Sequence, residues 1–134
     1  MSITHTATVA RASAVTVTAY HNLDGMLFHY RPEHRVVPVF RAELPEHGAT
    51  DRTVCEQVFV LLNVGHDPDF TSPPDPLAIE YREHANRSLC AGDVVAVERT
   101  AGFLLYYAVA SVGFAQIEPP TVVQVAQPGT TPLP

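Results

Sequence analysis

NRSLCAGDVVAVERTAGFLLYYAVASVGFAQIEPP, residues Asn86 to Pro120, is the stretch whose reading decides the fold. Val94 to Val97 is a short apolar run launched from a Gly92-Asp93 turn, and Phe103 to Ala110 is a longer one. Arg99-Thr100-Ala101-Gly102 connects them. Short runs rich in Val, Phe and Tyr, joined by a brief loop containing Gly, predict a β-hairpin over 94–97 and 103–110. Neither run alternates between apolar and polar residues, so both faces of the hairpin are expected to be covered. That places it at the centre of a small sheet. Ser88, Gly92, Asp93, Gly102 and Gly113 are read as turn and structural residues, with Ser88 and Asp93 bonding the turn amides around Gly92.

The pattern NRSLCAGDVVAVE, followed by YYAVASVGFAQIEP, resembles the YodL-like family. Upstream, VFRAELPEHG, a helix and FVLLNVGHDPDF look like the same family's strand, connecting loop and helix end. The resemblance covers roughly residues 36–120. Cys90 and the longer Arg99–Gly102 turn depart from the pattern. The resemblance implies a fold and an association with mobile elements. It implies no catalytic residues.

Working outward, Val15, Val17 and Ala19 alternate with Thr16 and Thr18, the pattern of a half-buried strand. Val36 to Leu44 reads as another strand, with Pro38 placing it at a sheet edge or a bulge. Thr50 to Asn63 holds the main helix, expected over 51–63 and laid across the sheet. Thr53 and Glu56 have capping-box spacing, Thr50 and Asp51 are further cap choices, and Val54, Cys55, Val58, Leu61 and Leu62 form the apolar stripe. The Pro- and Asp-rich loop His66 to Pro76 has Phe70 as its expected anchor, and Asp75-Pro76 opens a short second helix. In that helix Ile79 is expected to face inward with Leu77 or Tyr81, leaving Arg82, Glu83 and the following Arg87 outside. These elements predict one α+β domain over 13–120, with a mixed or antiparallel sheet. Residues 1–12 are read as a tail or edge strand, and 121–134 as a strand-like extension and tail.

Composition excludes several functions. A net charge of −6 and a pI near 5.5 disfavour a nucleic-acid backbone binder, which needs a basic patch. No GxGxxG or GxxxxGK[ST] occurs to cradle a phosphate. Residues 1–10 lack a signal-peptide pattern, and no apolar run approaches a membrane span, so a cytoplasmic location away from membranes is expected. Cys55 and Cys90 form neither a CxxC nor a disulfide framework. His21, His29 and His34 are weak metal-ligand candidates, since spacings of eight and five residues match no recurrent site. Neither metal nor cofactor is expected.

Two functional readings remain. The first is a non-enzymatic protein-binding or accessory module, of a mobile element or a larger assembly. It would engage another protein or a second copy through edge strands and tails. Val15, Val17, Val122, Val123 and Val125 are its candidate contact residues. The alternative is a thiol-dependent enzyme centred on Cys90, with His84 as base and Asp93 nearby.

Overall fold

In the computed structural model, residues 14–45, 48–99 and 102–125 are described. The expected N-terminal tail or edge strand over 1–12, and the chain beyond 125, lie outside these residues. Among these described residues, five strands form one sheet: β1 (Ala14–Asn22), β2 (Val36–Pro45), β3 (Val94–Arg99), β4 (Phe103–Val109) and β5 (Phe114–Ile117). Their order is β2-β1-β3-β4-β5, and every neighbouring pair is antiparallel. Two helices, α1 (Asp51–Val64) and α2 (Pro76–Glu83), complete an α+β fold. β3 is the middle strand. Val94, Val95, Ala96 and Val97 are all buried, which is why its sequence shows no alternation. The hairpin differs from expectation only by two extra residues on β3 and one fewer on β4.

Antiparallel register sorts the side chains onto two faces. Val15, Val17 and Ala19 of β1, Val95 and Val97 of β3, and Phe40 of β2 share a core with Val54, Cys55, Val58 and Leu62 of α1 and Tyr81 of α2. Val54, Val58 and Leu62 are fully buried, each contributing about 1.5–3 kcal/mol by leaving water. On the other face, Tyr20 and Tyr106 approach across β3 with ring centroids 6.4 Å apart.

Thr50 caps α1, its Oγ1 accepting from the Thr53 N–H at 3.3 Å. Asp51 is thereby free to face the hairpin. It accepts from Arg99 Nε and Nη2 at 2.8 and 2.6 Å and from the Tyr107 hydroxyl at 2.5 Å. These bonds tie the start of α1 to β3 and β4. Asp75 caps α2 through the Leu77 N–H, with Pro76 in the first turn.

Several expectations change here. β1 is hydrogen-bonded on both sides, to β2 and β3, and Val15 and Val17 are fully enclosed core residues. They present no free edge, so they are removed from the contact candidates. Pro38 does lie on an edge strand beside a bulge, because the β1–β2 register shifts between Ala19 and Tyr20. Of the expected strand-like extension over 121–134, the described part, 121–125, holds one parallel bridge, Val36 with Val123. Within α2, Ala78 and Tyr81 face inward and Ile79 is 40% exposed. Phe70, the expected loop anchor, is 70% exposed.

Candidate functional site

The polar groups of the fold converge on Asp93, where the chain enters β3. Gly92 has φ +97°, and an added Cβ would lie 2.6 Å from both the Gly25 and the Phe28 carbonyl oxygens. Loop 23–35 therefore runs directly over the turn. Gly102 and Gly113 also have positive φ, at +80° and +73°.

The Asp93 carboxylate is completely buried. Its Oδ1 accepts from the Asn22 backbone N–H and from Arg87 Nη2, both at 2.8 Å. Its Oδ2 accepts from Arg87 Nη1 at 2.7 Å and from the Cys90 backbone N–H at 2.8 Å. Two of these donors form a bidentate guanidinium fork, the strongest arrangement available to a carboxylate. A buried charge held this way is satisfied at every lone pair.

Asn22, the last residue of β1, extends the network into loop 23–35. Its Oδ1 accepts from the Asp24 and Gly25 N–H groups at 2.9 and 2.7 Å, and its Nδ2 donates to the Gly92 carbonyl at 3.0 Å and to His34 Nδ1 at 3.1 Å. Arg35 closes the loop by gripping Asp24, with Nη2 2.8 Å from Oδ1. That pairing holds the exposed Asp24 carboxyl well below its usual range, at about 2. The Leu27 N–H donates to the Ala91 carbonyl at 2.9 Å. Leu27 itself is in the left-handed region, at φ +74°. Non-glycine residues are rarely found there without some other constraint.

A second branch runs from Arg87 toward the core. The Tyr81 hydroxyl donates to the Arg87 carbonyl at 2.6 Å, so His21 Nε2 is the donor in the 2.8 Å bond to Tyr81. Burial, reinforced by the Arg87 charge, lowers the His21 pKa to about 4. The ring is neutral at physiological pH. Segment 86–93 is pinned from behind as well. Asn63 exchanges two hydrogen bonds with the Leu89 backbone, at 2.7 and 3.1 Å. Arg82 Nη2 reaches the Leu62 and Asn63 carbonyls at the end of α1 and the Ser88 hydroxyl.

The residues singled out from sequence fall into place against this geometry. Asp93 does bond a turn amide, that of Cys90, but its larger role is the Arg87 pair. The Ser88 hydroxyl accepts from Arg82 instead of bonding the amides around Gly92. Arg82 and Arg87, expected outside, are half-buried. Cys90 is half-buried with Arg87 Nη1 3.4 Å from its sulfur. Burial and the neighbouring Asp93 push its thiol upward, opposite to what a nucleophilic cysteine requires. His84 stands one helical turn from Glu80, 3.9 Å away. The three candidate histidines have unlike settings: His21, at the end of β1, bonds Tyr81, His34 bonds Asn22, and His29 is exposed. Among the described residues, no group of three or more His, Cys, Asp or Glu is placed to hold a metal. Nor is any helix long and apolar enough to cross a membrane.

Asn22 and Arg87 are the residues that sequence reasoning missed. Asn22 looked like an ordinary turn residue in Asn22-Leu23-Asp24-Gly25, and its partner lies 71 residues away. What this cluster does chemically is hold a loop. At the loop's tip Met26, Leu27 and Phe28 are 46%, 67% and 72% exposed. No family model, curated protein or solved structure matches the chain.

Proposed function

We propose that the protein is a small binding module without chemistry of its own, and that loop 23–35 is its recognition element for another protein. The observation that carries this reading is the pairing of a buried network, centred on a fully satisfied Asp93 carboxylate, with an apolar tip left in water. Asn22, Arg87 and Asp93 direct their hydrogen bonds inward to the loop and its supporting turn. The tip they hold exposes three large apolar side chains in a row. A rigid frame presenting apolar residues lowers the ordering cost of binding.

The chain after β5 widens the same surface. Thr121 Oγ1 donates to the Pro32 carbonyl at 3.0 Å, and the Val122 carbonyl and Gln124 N–H both bond Val36. Val122, Val123 and Val125 thus lie beside the loop, 39%, 48% and 77% exposed, and they remain proposed contact residues. The partner is a host or element-encoded protein, in keeping with the mobile-element association of the YodL-like resemblance, or a subunit of a larger assembly.

The test combines Leu27→Gly with Phe28→Ser. Leu27→Gly relieves the left-handed backbone, so the double variant should melt no lower than the parent chain. Quantitative affinity capture should nonetheless lose a specific partner. A partner set identical to that of the parent chain would overturn the loop as the recognition element.

A further inference from the structure

The two edges of the sheet are built differently. β2 carries the safeguards that keep edge strands from pairing: Pro38, a bulge at its neighbour's Ala19–Tyr20 step, exposed Arg41 and Glu43, and residues 122–124 bonded to Val36. β5, Phe114-Ala115-Gln116-Ile117, has none of these. It contains no charge and no proline, and Val112 just before it is 87% exposed. Among the described residues, nothing pairs with its outer side.

The backbone directions along β5 follow from one bond. The Ala110 N–H donates to the Gly113 carbonyl, and Ala108 pairs with Ala115 and Tyr106 with Ile117. In an antiparallel ladder, hydrogen-bonded and non-hydrogen-bonded pairs alternate. Gly113, Ala115 and Ile117 therefore point their N–H and C=O groups at β4. Phe114 and Gln116 point theirs outward, unpaired.

We infer that β5 is a self-association edge, at which a second copy of this chain adds its own β5 antiparallel to form a continuous ten-stranded sheet. The inference does not depend on the proposed role of loop 23–35. Only one register of two identical antiparallel β5 strands uses all the outward groups. Phe114 must face Gln116 of the copy and Gln116 its Phe114, giving four hydrogen bonds, with Ala115 opposite Ala115 on the two-fold axis. The next positions also fit. Glu118, the nearest charge in sequence, lies just past the paired residues, toward the Ser111-Val112 turn of the other copy and not opposite its own equivalent, so no like carboxylates meet. The short side chain at the axis, Ala115, allows close approach. A two-fold contact needs this kind of self-complementarity, which an edge for an unrelated strand does not.

The register makes the test specific. Sedimentation equilibrium of the full chain should give twice its 14.6 kDa mass, falling to one chain on dilution. Ala115→Lys sets two like charges face to face and should weaken the dimer by about tenfold or more. Gln116→Pro removes an outward N–H while sparing the ladder to β4, and should leave a folded monomer. Ala115→Cys, in a Cys90→Ser background, should form an intermolecular disulfide, because Cα atoms of a non-hydrogen-bonded pair sit about 4.5 Å apart. Gln116→Cys should not, since it faces Phe114. A parent chain that stays monomeric throughout would overturn the inference. So would a dimer that survives Ala115→Lys, or one that cross-links equally well from position 116. If Gln116→Pro fails to fold, the lysine and cysteine variants still decide.

Discussion

Arg87 and Asp93 meet through two parallel hydrogen bonds of 2.7 and 2.8 Å, with the carboxylate wholly out of water and the arginine side chain 32% exposed. This pair is the hinge between the end of β1, the turn before β3 and the chain leaving α2. Removing one partner of a buried pair leaves the other charge uncompensated. Arg87→Met should therefore destabilise the fold by about 3 kcal/mol. Urea denaturation measures it, and a loss under about 1 kcal/mol would mean that water reaches Asp93 when Arg87 is gone.

Gly92 and Gly102 both have positive φ, but only one is crowded. At Gly102 nothing lies within 4 Å of an added Cβ, whereas at Gly92 two backbone oxygens do, at 2.6 Å. Gly102→Ala should cost about 1 kcal/mol, the conformational term alone. Gly92→Val should cost clearly more and should speed exchange of the Leu27 amide, which bonds the adjacent Ala91 carbonyl. Equal melting temperatures for the two variants would sink this account of the turn.

His21 sets a pH dependence. Its folded pKa, about 4, lies below the ordinary 6.5, so the unfolded chain takes up the proton first. Stability from this group is intact above pH 6.5 and is lost as pH falls from there toward 4, by on the order of 3 kcal/mol. Tyr81, Arg87 and Asp93 are the ionisable groups facing it. His21→Asn should flatten the profile in that window. Asp24, whose pKa is about 2, acts only at lower pH. A parent profile with no slope between pH 6.5 and 4 would refute the buried neutral ring.

The thiols supply a direct check on the reading without catalysis. Cys90 is reachable but shifted upward, and Cys55 is fully buried and pushed up to about 12. At neutral pH a mild alkylating reagent should modify Cys90 no faster than an ordinary free thiol and Cys55 only on unfolding. Rapid, selective labelling of Cys90 would favour the thiol enzyme instead.

Local physics made much of this legible in sequence. A run such as Val94–Val97 can be apolar throughout only if both faces are covered, so the middle strand announced itself. Asp75-Pro76 acts on groups within three residues of itself and could be read directly, and Thr50 was one of the cap choices, although the Thr53–Glu56 spacing pointed too far along the chain. The Gly92 turn was legible too, but not the Gly25 and Phe28 carbonyls packed against it. Strand order could not. Val15 and Val17 alternate with threonines just as an edge strand would, yet β1 lies between β2 and β3, because alternation reports faces and not edges. Arg82 and Arg87 looked solvated for the same reason: a charge is buried only when a partner waits for it. Those partners, the end of α1 and a carboxylate beside β1, arrive only when the chain closes on itself. Sequence determined the segments and their turns. Tertiary structure decided which polar groups meet, since contacts across 71 residues leave no periodic trace in the chain.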